Sequence, residues 1–167
     1  MTAFEDCIRA GGVAVFPADT VYGLAVDPSN DEAIERMYRM KGRAREKRSA
    51  LMYFSVDDVP DLPERARRLL PGPVTVVLAD GRGIRVPDGP RLASFPVLQT
   101  SANPAGAPDP RRLEDVDPAI RAAVDLEVDG GELPGTPSTV VDLSGDDVRI
   151  VREGAVSAER IRELLRR

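Results

Sequence analysis

Val13-Ala14-Val15-Phe16-Pro17-Ala18-Asp19-Thr20-Val21-Tyr22-Gly23-Leu24 is the stretch from which the fold class of this chain can be predicted. Its first four residues form a continuous apolar run, which is typical of a strand that is buried on both faces. The polar motif from Pro17 to Leu24 follows at the point where that strand should end. Hydroxyls, amides and cations that gather at strand ends suit the phosphates of a nucleotide better than they suit a hydrophobic core.

Three further polar motifs follow or flank apolar runs in the same way. They are Lys41-Gly42-Arg43, Thr100-Ser101-Ala102-Asn103 and Ser138-Thr139-Val140-Val141-Asp142. Their recurrence indicates an enzyme or a binding protein for a phosphorylated ligand. No GxxxxGK[ST] or GxGxxG loop follows any predicted strand, so a P-loop NTPase and a Rossmann dehydrogenase are poorly supported.

The rest of the chain predicts helices and strands that mix without strict alternation. Helices are expected at about 2–10, from a capping box of Ser29 and Glu32 to 40, at 63–70, at 117–124 and at 158–166. Further strands are expected at 50–54, 74–78, 84–86, 96–99, 126–129, and in a hairpin of 139–142 and 148–151. We therefore predict one α/β domain over residues 1–167, with an open twisted mixed sheet and flanking helices.

Composition narrows the class of protein. The chain has 167 residues, of which 42% are apolar, and a net charge of −5. An acidic total argues against a generally basic nucleic-acid-binding surface, although a local basic groove remains possible. One cysteine and no histidine exclude a disulfide framework, a Cys/His zinc site and a Ser-His-Asp triad. The N-terminus has no signal-peptide pattern and no apolar run could span a bilayer, so we expect a cytoplasmic protein.

Each polar motif, taken alone, has a simpler alternative. The basic stretch from Lys41 to Arg48 is either an anion clamp or a solvated loop after a helix. The motif around Ser101 either binds a phosphate or forms a hydroxyl turn. Arg85 interrupts an apolar run and either faces solvent or points into a site. Asp19 and Asp142 are acidic candidates for proton transfer, but the sequence assigns no general base.

In their order along the chain, the motifs resemble the YrdC/TsaC family, the L-threonylcarbamoyladenylate synthases. The matching elements run from residue 13 to about 156: Pro17 to Leu24, Lys41-Gly42-Arg43, Leu70-Pro71-Gly72-Pro73-Val74-Thr75, Ile84-Arg85-Val86-Pro87, Thr100 to Asn103, Pro137 to Asp142, and Arg152-Glu153-Gly154-Ala155. The chain departs from the family's pattern at Ala18, in a basic pattern at Arg45 and Arg48, and in two shorter stretches, between Leu78 and Gly83 and between Pro87 and Pro96.

The resemblance implies a YrdC-like fold with a concave basic face, and roles for specific residues. The family's Lys-x-Arg and Ser-x-Asn signature falls on Lys41, Arg43, Ser101 and Asn103. By that pattern, Lys41 and Arg43 are catalytic and hold phosphates and carboxylate. The implied substrate-binding residues are Thr20, Tyr22, Lys41, Arg43 and Arg85. The implied nucleotide-binding residues are Ser101, Asn103, Ser138 and Arg152, and no residue is expected to form a metal site of its own.

The resemblance also implies a nucleotidyltransferase reaction. L-threonine, bicarbonate and ATP would give threonylcarbamoyl-AMP and pyrophosphate, with Mg²⁺ bound through the ATP phosphates. The product would supply the threonylcarbamoyladenosine modification at position 37 of tRNA, through a partner threonylcarbamoyl transferase complex. Positioning and electrostatics can supply much of such a reaction, which needs no covalent nucleophile.

Two alternatives remain open at the level of sequence. The first is a non-catalytic or paralogous YrdC-like module that binds tRNA or double-stranded RNA through its concave face. The second is the related carbamoyl-transfer module of hydrogenase maturation, which would expect zinc-finger and acylphosphatase neighbours that this chain does not carry.

Overall fold

The computed structural model describes residues 2–42 and 49–166 of the chain. Local capping signals account for the ends of several described helices. The α-helices in these ranges are α1 (Ala3–Arg9), α2 (Asp31–Lys41), α3 (Glu64–Arg67), α4 (Pro118–Ala123) and α5 (Ala158–Arg166). Two short 3₁₀ helices lie at Val56–Asp58 and Leu113–Asp115. Thr2 and Glu5 form a capping box at the start of α1, and the left-handed Gly42 ends α2.

Nine strands form one mixed sheet within the described ranges. They are β1 (Ala14–Pro17), β2 (Tyr22–Val26), β3 (Ala50–Met52), β4 (Val74–Val77), β5 (Gly83–Arg85), β6 (Val97–Ser101), β7 (Leu126–Glu127), β8 (Thr139–Asp142) and β9 (Arg149–Arg152). Their order across the sheet is β7-β1-β2-β6-β3-β5-β4-β8-β9. The β1–β7, β3–β5 and β4–β8 pairs are parallel and the others are antiparallel. The predicted open mixed sheet with flanking helices is confirmed.

Two details of the sequence prediction need correction. Strand β2 was not predicted, because its apolar residues lie within a motif that was interpreted as a polar strand end. The cap of α2 is Asn30 rather than Ser29: the Asn30 side chain accepts from the Ala33 amide, 3.1 Å away. The Ser29 hydroxyl donates instead to Asp27, at 2.7 Å, which removes it from the helix terminus.

One face of the sheet is covered by helices across its width. Val26, Leu98, Leu51, Ile84 and Val76 are successive register partners across β2, β6, β3, β5 and β4. Val26 and Leu98 pack with residues of α2 and α4, whereas Ile84 and Val76 pack with Ala66 of α3 and Ile161 of α5. The core beneath this face therefore consists of two adjoining hydrophobic clusters.

The opposite face is covered over only part of its area. Phe4 and Ile8 of α1 pack there on Phe16 and Met52, together with Phe54. The next row of side chains on the same face runs from Gln99 of β6 to its neighbours on β3 and β5, which are the small residues Ala50 and Gly83. Because successive side chains of a strand point to opposite faces, these residues lie on the side away from Leu51 and Ile84. A concave, open area remains over the middle of the sheet.

No helix in the described parts of the chain combines the length and the apolar character needed to cross a membrane.

Candidate active site

A cavity of about 470 Å³ lies on the open face of the sheet. Residues from β3, β4, β5, β6, β8 and β9 line it, together with the segment that joins β1 to β2. The lining residues are Thr20, Val21, Ser49, Ala50, Thr75, Val77, Gly81, Gly83, Arg85, Gln99, Thr100, Ser101, Asp109, Pro137, Ser138, Val140 and Arg152. A cavity of this size, with polar side chains that converge from several strands, is the usual form of a small-molecule site.

The cavity brings together five of the nine side chains that the sequence nominates. Thr20 comes from the β1–β2 connection, Arg85 from β5, Ser101 from the end of β6, Ser138 from the segment before β8, and Arg152 from β9. These residues are as many as 132 positions apart in the chain, from Thr20 to Arg152. Strand pairing, together with the segments before β2 and β8, accounts for their proximity.

Arg85 resolves the choice that its sequence context left open. It is 3% exposed and lines the cavity, so it points into the site rather than to solvent. Its Nη2 donates to Oδ1 of Asp19, 2.5 Å away, in a buried ion pair. The Nε of Arg85 and the Oδ2 of Asp19 have no hydrogen-bond partner within the described ranges. Both of these atoms are sealed from solvent, whereas Nη1 of Arg85 is neither sealed nor hydrogen-bonded within the described ranges and keeps donor capacity for an anionic ligand.

Asp19 is held in an unusual environment. Its φ of 61° lies in the left-handed region, which residues other than glycine seldom adopt. Burial raises the pKa of its carboxyl group, and the nearby Arg85 only partly opposes that rise. The position of Asp19 beside the cavity makes it a residue that orients Arg85.

A chain of hydrogen bonds fixes the far wall of the cavity. The hydroxyls of Ser138 and Thr75 are 2.8 Å apart, and Nη2 of Arg152 donates to the Ser138 carbonyl oxygen at 2.8 Å. The hydroxyl of Thr139 accepts from the Gly154 amide at 3.0 Å. A Cβ on Gly154 would lie 2.2 Å from the Pro137 carbonyl oxygen, so only glycine permits this close approach. The Ser138 segment is therefore locked between β4 and the residues after β9.

Lys41 lies behind the cavity wall instead of lining the cavity. It is 3% exposed at the end of α2. Its ammonium donates to the carbonyl oxygens of Ser101 and Asn103, the latter at 2.6 Å, and to Oδ1 of Asn103 at 3.1 Å. Oδ1 of Asn103 also accepts from the Ser101 hydroxyl at 2.6 Å. Lys41 and Asn103 thus shape the loop that presents Ser101 to the cavity.

Like Lys41 and Asn103, the nominated Tyr22 is not among the residues that line the cavity. Tyr22 is fully buried on the helix-covered face, where its hydroxyl donates to the Gly131 carbonyl oxygen at 2.8 Å and accepts from the Gly130 amide at 2.9 Å. Burial raises the pKa of this phenol. Arg43, with the rest of the basic stretch to Arg48, lies outside the described residues. The proposed roles of Tyr22 and Arg43 stay predictions.

Five polar lining residues, Ser49, Thr75, Gln99, Thr100 and Asp109, were not nominated as site residues from the sequence. Thr75 lay within a motif that matched the family pattern, which was the only signal for it. Gln99 and Asp109 belong to a predicted strand and to a Pro-rich loop, and neither carries a motif of its own. The strand register, which places Gln99 beside Ala50, reveals Gln99 as part of the site. Asp109 reaches the cavity from its loop, which only the folded structure shows.

The second acid candidate, Asp142, lies away from the cavity. Its carboxylate accepts from the Ser144 amide at 2.9 Å and from Arg149 at 2.6 Å. Hydrogen bonds from Ser144, followed by those from Arg149, lower the pKa of Asp142 to about 2. A carboxylate so stabilised is a poor proton acceptor at neutral pH.

The family comparison agrees with this arrangement. Residues 6–154 match the family model Sua5/YciO/YrdC, whose description is "Telomere recombination". The threonylcarbamoyl-AMP synthase of Pseudomonas fluorescens Pf0-1 is 33% identical over 169 residues, which cover 84% of this chain and 91% of that protein. The threonylcarbamoyl-AMP synthase of Bacillus subtilis is 28% identical, over 95% of this chain but 54% of that protein.

A solved structure gives the same result at the level of the fold. The crystal structure of P. abyssi Sua5 complexed with L-threonine superposes with a TM-score of 0.84 at 28% identity. The match covers 96% of this chain and 55% of Sua5, so the chain spans about half the length of that protein and of the Bacillus subtilis relative. A match to the family model across 149 residues (6 to 154), together with this superposition, leads to one conclusion. The chain belongs to the Sua5/YciO/YrdC family.

Proposed function

We propose that this protein is an L-threonylcarbamoyladenylate synthase, which joins L-threonine, bicarbonate and ATP and releases pyrophosphate. The observation that carries the proposal is the cavity itself, in which Thr20, Arg85, Ser101, Ser138 and Arg152 converge from five separate segments. The names of the relatives and the threonine-bound Sua5 structure support the choice of substrates.

The reaction consists of two bond-forming steps. The threonine nitrogen and the bicarbonate carbon first form a carbamate, with loss of water. A carbamate oxygen then attacks the α-phosphorus of ATP, and the bond from that phosphorus to the bridging oxygen breaks as pyrophosphate leaves. Bicarbonate, the carbamate and ATP are all anionic, so the protein must bring negative groups together and stabilise the charge that develops in the transition state.

The residues of the cavity suit that task. Arg85 and Arg152 supply guanidinium groups, which can bind carboxylate or phosphate oxygens through paired donors. The Ser138 hydroxyl can donate to a phosphate oxygen when Thr75 is the donor of the hydrogen bond between them, whereas the hydroxyls of Thr20 and Ser101 would have to turn from Ala18 and Asn103 to do so. Because Asp19 and the wall around Gly154 hold Arg85 and Ser138 before any ligand arrives, these two residues need little reorganisation when ATP binds.

Mg²⁺ is proposed to enter with ATP. No group of three or more His, Cys, Asp or Glu side chains that could hold a metal is found within residues 2–42 and 49–166. Asp109 is the single carboxylate among the described lining residues, and most of the other polar lining groups are hydroxyls. This donor set fits a Mg²⁺ ion bound mainly by phosphate oxygens and water, with few protein ligands. The ion would neutralise phosphate charge, while Arg85 and Arg152 orient the phosphates.

The wider biological role follows from the same proposal. We expect the adenylate to supply the threonylcarbamoyladenosine modification at position 37 of tRNA, through a threonylcarbamoyl transferase complex in the cytoplasm. The RNA-binding alternative rests on the stretch from Lys41 to Arg48, of which the structure describes only Lys41 and Gly42. Lys41 is buried against the Ser101 loop, so this described cation does not favour an RNA surface.

The proposal is tested by measuring pyrophosphate release with each substrate omitted in turn. Release should require threonine, bicarbonate and ATP together, and should fall at least about 100-fold in Arg85→Met, because a transition-state charge contact is lost. Arg149→Met is the matched control, since Arg149 is exposed and pairs with Asp142 away from the cavity. Release that continues without threonine would contradict the proposal.

A further inference from the structure

Gln99 is a buried polar residue on the floor of the cavity that the proposed mechanism does not use. The residue is 8% exposed, and it lines the cavity. Its side chain forms no hydrogen bond within the described structure. The amide atoms of Gln99 are not sealed from solvent, so they can be reached from the cavity.

An unpartnered buried amide is uncommon and has a cost. Buried polar side chains are nearly always hydrogen-bonded, because a donor or acceptor removed from water loses its hydration. The Gln99 amide presents two donors and one carbonyl acceptor to the cavity. Nothing in the described core requires a glutamine here, since the register partners Ala25 and Ala50 are small and apolar. The amide is therefore available to a ligand.

The surface beside Gln99 is flat. Ala50 of β3 is the register partner of Gln99. Gly83 lies beside Ala50 on the next strand, β5. A Cβ on Gly83 would still be 3.6 Å from the Ala50 Cβ, so the glycine leaves a shallow space instead of avoiding a clash. Small side chains in adjacent strands allow a planar ring to approach the sheet to van der Waals distance.

The chemistry of the amide selects among the groups of the proposed substrates. Phosphate, bicarbonate and carboxylate oxygens only accept, and Arg85 and Arg152 already provide charged donors for them. The adenine ring presents a donor, its N6 amine, next to an acceptor, N7. A glutamine amide complements this pair of groups with two hydrogen bonds, as it does when proteins contact adenine in DNA.

We propose that Gln99 is the residue that selects adenine as the base of the nucleotide in this cavity. The ring lies against Ala50 and Gly83, the Gln99 carbonyl accepts from the N6 amine, and the Gln99 amide donates to the adjacent ring nitrogen. This inference rests on the proposed function for the presence of ATP in the cavity. It adds a determinant of base specificity.

The test is direct binding of nucleotides by calorimetry, without threonine or bicarbonate. Inosine triphosphate carries a carbonyl oxygen where ATP carries the N6 amine, so it presents the wrong group to the Gln99 carbonyl. The unmodified protein should bind ATP at least about ten-fold more tightly than inosine triphosphate. In Gln99→Met, a change of similar length without the amide, the two affinities should become equal within about two-fold.

Two further variants separate base recognition from altered packing. Val77→Ala changes another lining residue of the same row without a polar group, so it should leave the ratio of the two affinities unchanged. Gln99→Ala repeats the loss of the amide with a smaller side chain, should Gln99→Met fail to fold by circular dichroism. Loss of preference in either folded Gln99 variant supports the inference.

Binding of neither nucleotide would overturn both the proposed function and the inference. The inference alone is overturned if the unmodified protein binds both nucleotides equally, or if a folded Gln99 variant keeps the preference for ATP. These two outcomes are distinct from failure of the proposed function. A Gln99-dependent preference without product formation would reject the synthase activity and keep the role of Gln99. Equal use of both nucleotides in productive turnover would keep the activity and reject the role of Gln99.

Discussion

The buried ion pair of Asp19 and Arg85 is the contact that most directly orients a charged group in the site. Asp19 combines a left-handed backbone, a buried carboxylate and a pKa raised by burial, three features that each oppose folding. Because its pKa is higher in the folded state, ionisation of Asp19 destabilises the fold, and that cost develops as the pH rises past its unfolded value of about 3.9. A costly ion pair beside the cavity is explained if its purpose is to orient Arg85.

The variant Asp19→Asn tests this explanation at the level of a single atom. It keeps the shape of the side chain but removes the charge, so the guanidinium of Arg85 should lose its fixed orientation and kcat/KM should fall about 10-fold to 100-fold. Steady-state kinetics with saturating bicarbonate measures the effect. Asp142→Asn removes the carboxylate of the other Asp–Arg pair and serves as the control. Equal kinetics for Asp19→Asn and the unmodified protein would show that Arg85 needs no such orientation.

Lys41 shows how a signature residue can be identified from sequence while its contacts remain hidden. Its position in a basic motif indicated contact with an anion. In the structure its ammonium donates to the carbonyl oxygens of Ser101 and Asn103 and to Oδ1 of Asn103. Its contact with an anion stays a prediction. The sequence could not predict these hydrogen bonds, because Lys41 and Ser101 are 60 residues apart in the chain.

At the scale of elements, helix α1 determines how much of the sheet's open face remains uncovered. Glu5 of α1 accepts from the amide and the hydroxyl of Ser94, each at 2.8 Å, and so joins the helix to the segment before β6. Hydrogen bonds from Ser94, and then from Thr2, lower the pKa of Glu5 from 4.5 to about 2. The attachment of α1 is therefore sensitive to acid.

The pH dependence of stability should reveal this attachment. A depressed pKa means that Glu5 stabilises the fold above its unfolded value of 4.5, and that this contribution disappears as the pH falls from 4.5 towards 2. Glu5→Gln should therefore lower the urea midpoint at neutral pH and make the acid decline shallower in that window. Urea titrations across the pH range measure both effects. An acid decline of unchanged slope in Glu5→Gln would contradict the assignment.

The junction of β9 with the Ser138 segment gives a second prediction at this scale. In Gly154→Ala, the new methyl group would meet the Pro137 and Ser138 carbonyl oxygens at 2.2 and 2.7 Å, so the segment must move. We expect a loss of about 1–3 kcal/mol in the free energy of unfolding, together with weaker ATP binding.

Gly145→Ala is the matched control for that change. No atom lies within 4 Å of the Cβ position at Gly145, which is in the turn between β8 and β9. Urea unfolding should therefore separate the two alanine variants clearly. Similar midpoints for both would mean that the contact around Gly154 relaxes without cost.

The elements themselves were largely predictable because their signals are local. The capping box of α1, the cap of α5 by Ser157 and the β8–β9 hairpin all depend on neighbouring residues in the chain. Strand β2 was missed for an equally local reason, since its five residues follow a polar turn with no separate strand signal. Ser29 was chosen as a cap because sequence cannot tell which of two adjacent cap-forming residues has its side chain engaged elsewhere.

At the scale of the whole molecule, the site exists because helices cover the two faces of the sheet unequally. Strand β6 lies between β2 and β3, although 45 residues separate Met52 from the start of β6 at Val97. This insertion brings Gln99 and Ser101 into the same open area as Arg85 and Ser138. Strand order depends on long-range pairing, so the sequence predicted most members of the site but not their geometry.

The net charge of the whole chain differs in sign from the charge of the described cavity lining. The chain carries a net charge of −5, whereas the described cavity lining contains two arginines and one aspartate. A cleft can attract an anionic substrate against an opposite total charge, because low-dielectric walls concentrate the local field. The concave basic face implied by the family resemblance stays a prediction, and raised KM for ATP at high salt would be its signature.

The most direct test of the account identifies the product. The protein should be incubated with L-threonine, ATP and ¹³C-bicarbonate, and the reaction analysed by mass spectrometry. The account predicts a new species with the mass of threonylcarbamoyl-AMP, heavier by one mass unit than the species formed from ordinary bicarbonate. Formation of AMP and pyrophosphate without a labelled adenylate, or no reaction by a folded protein, would contradict it.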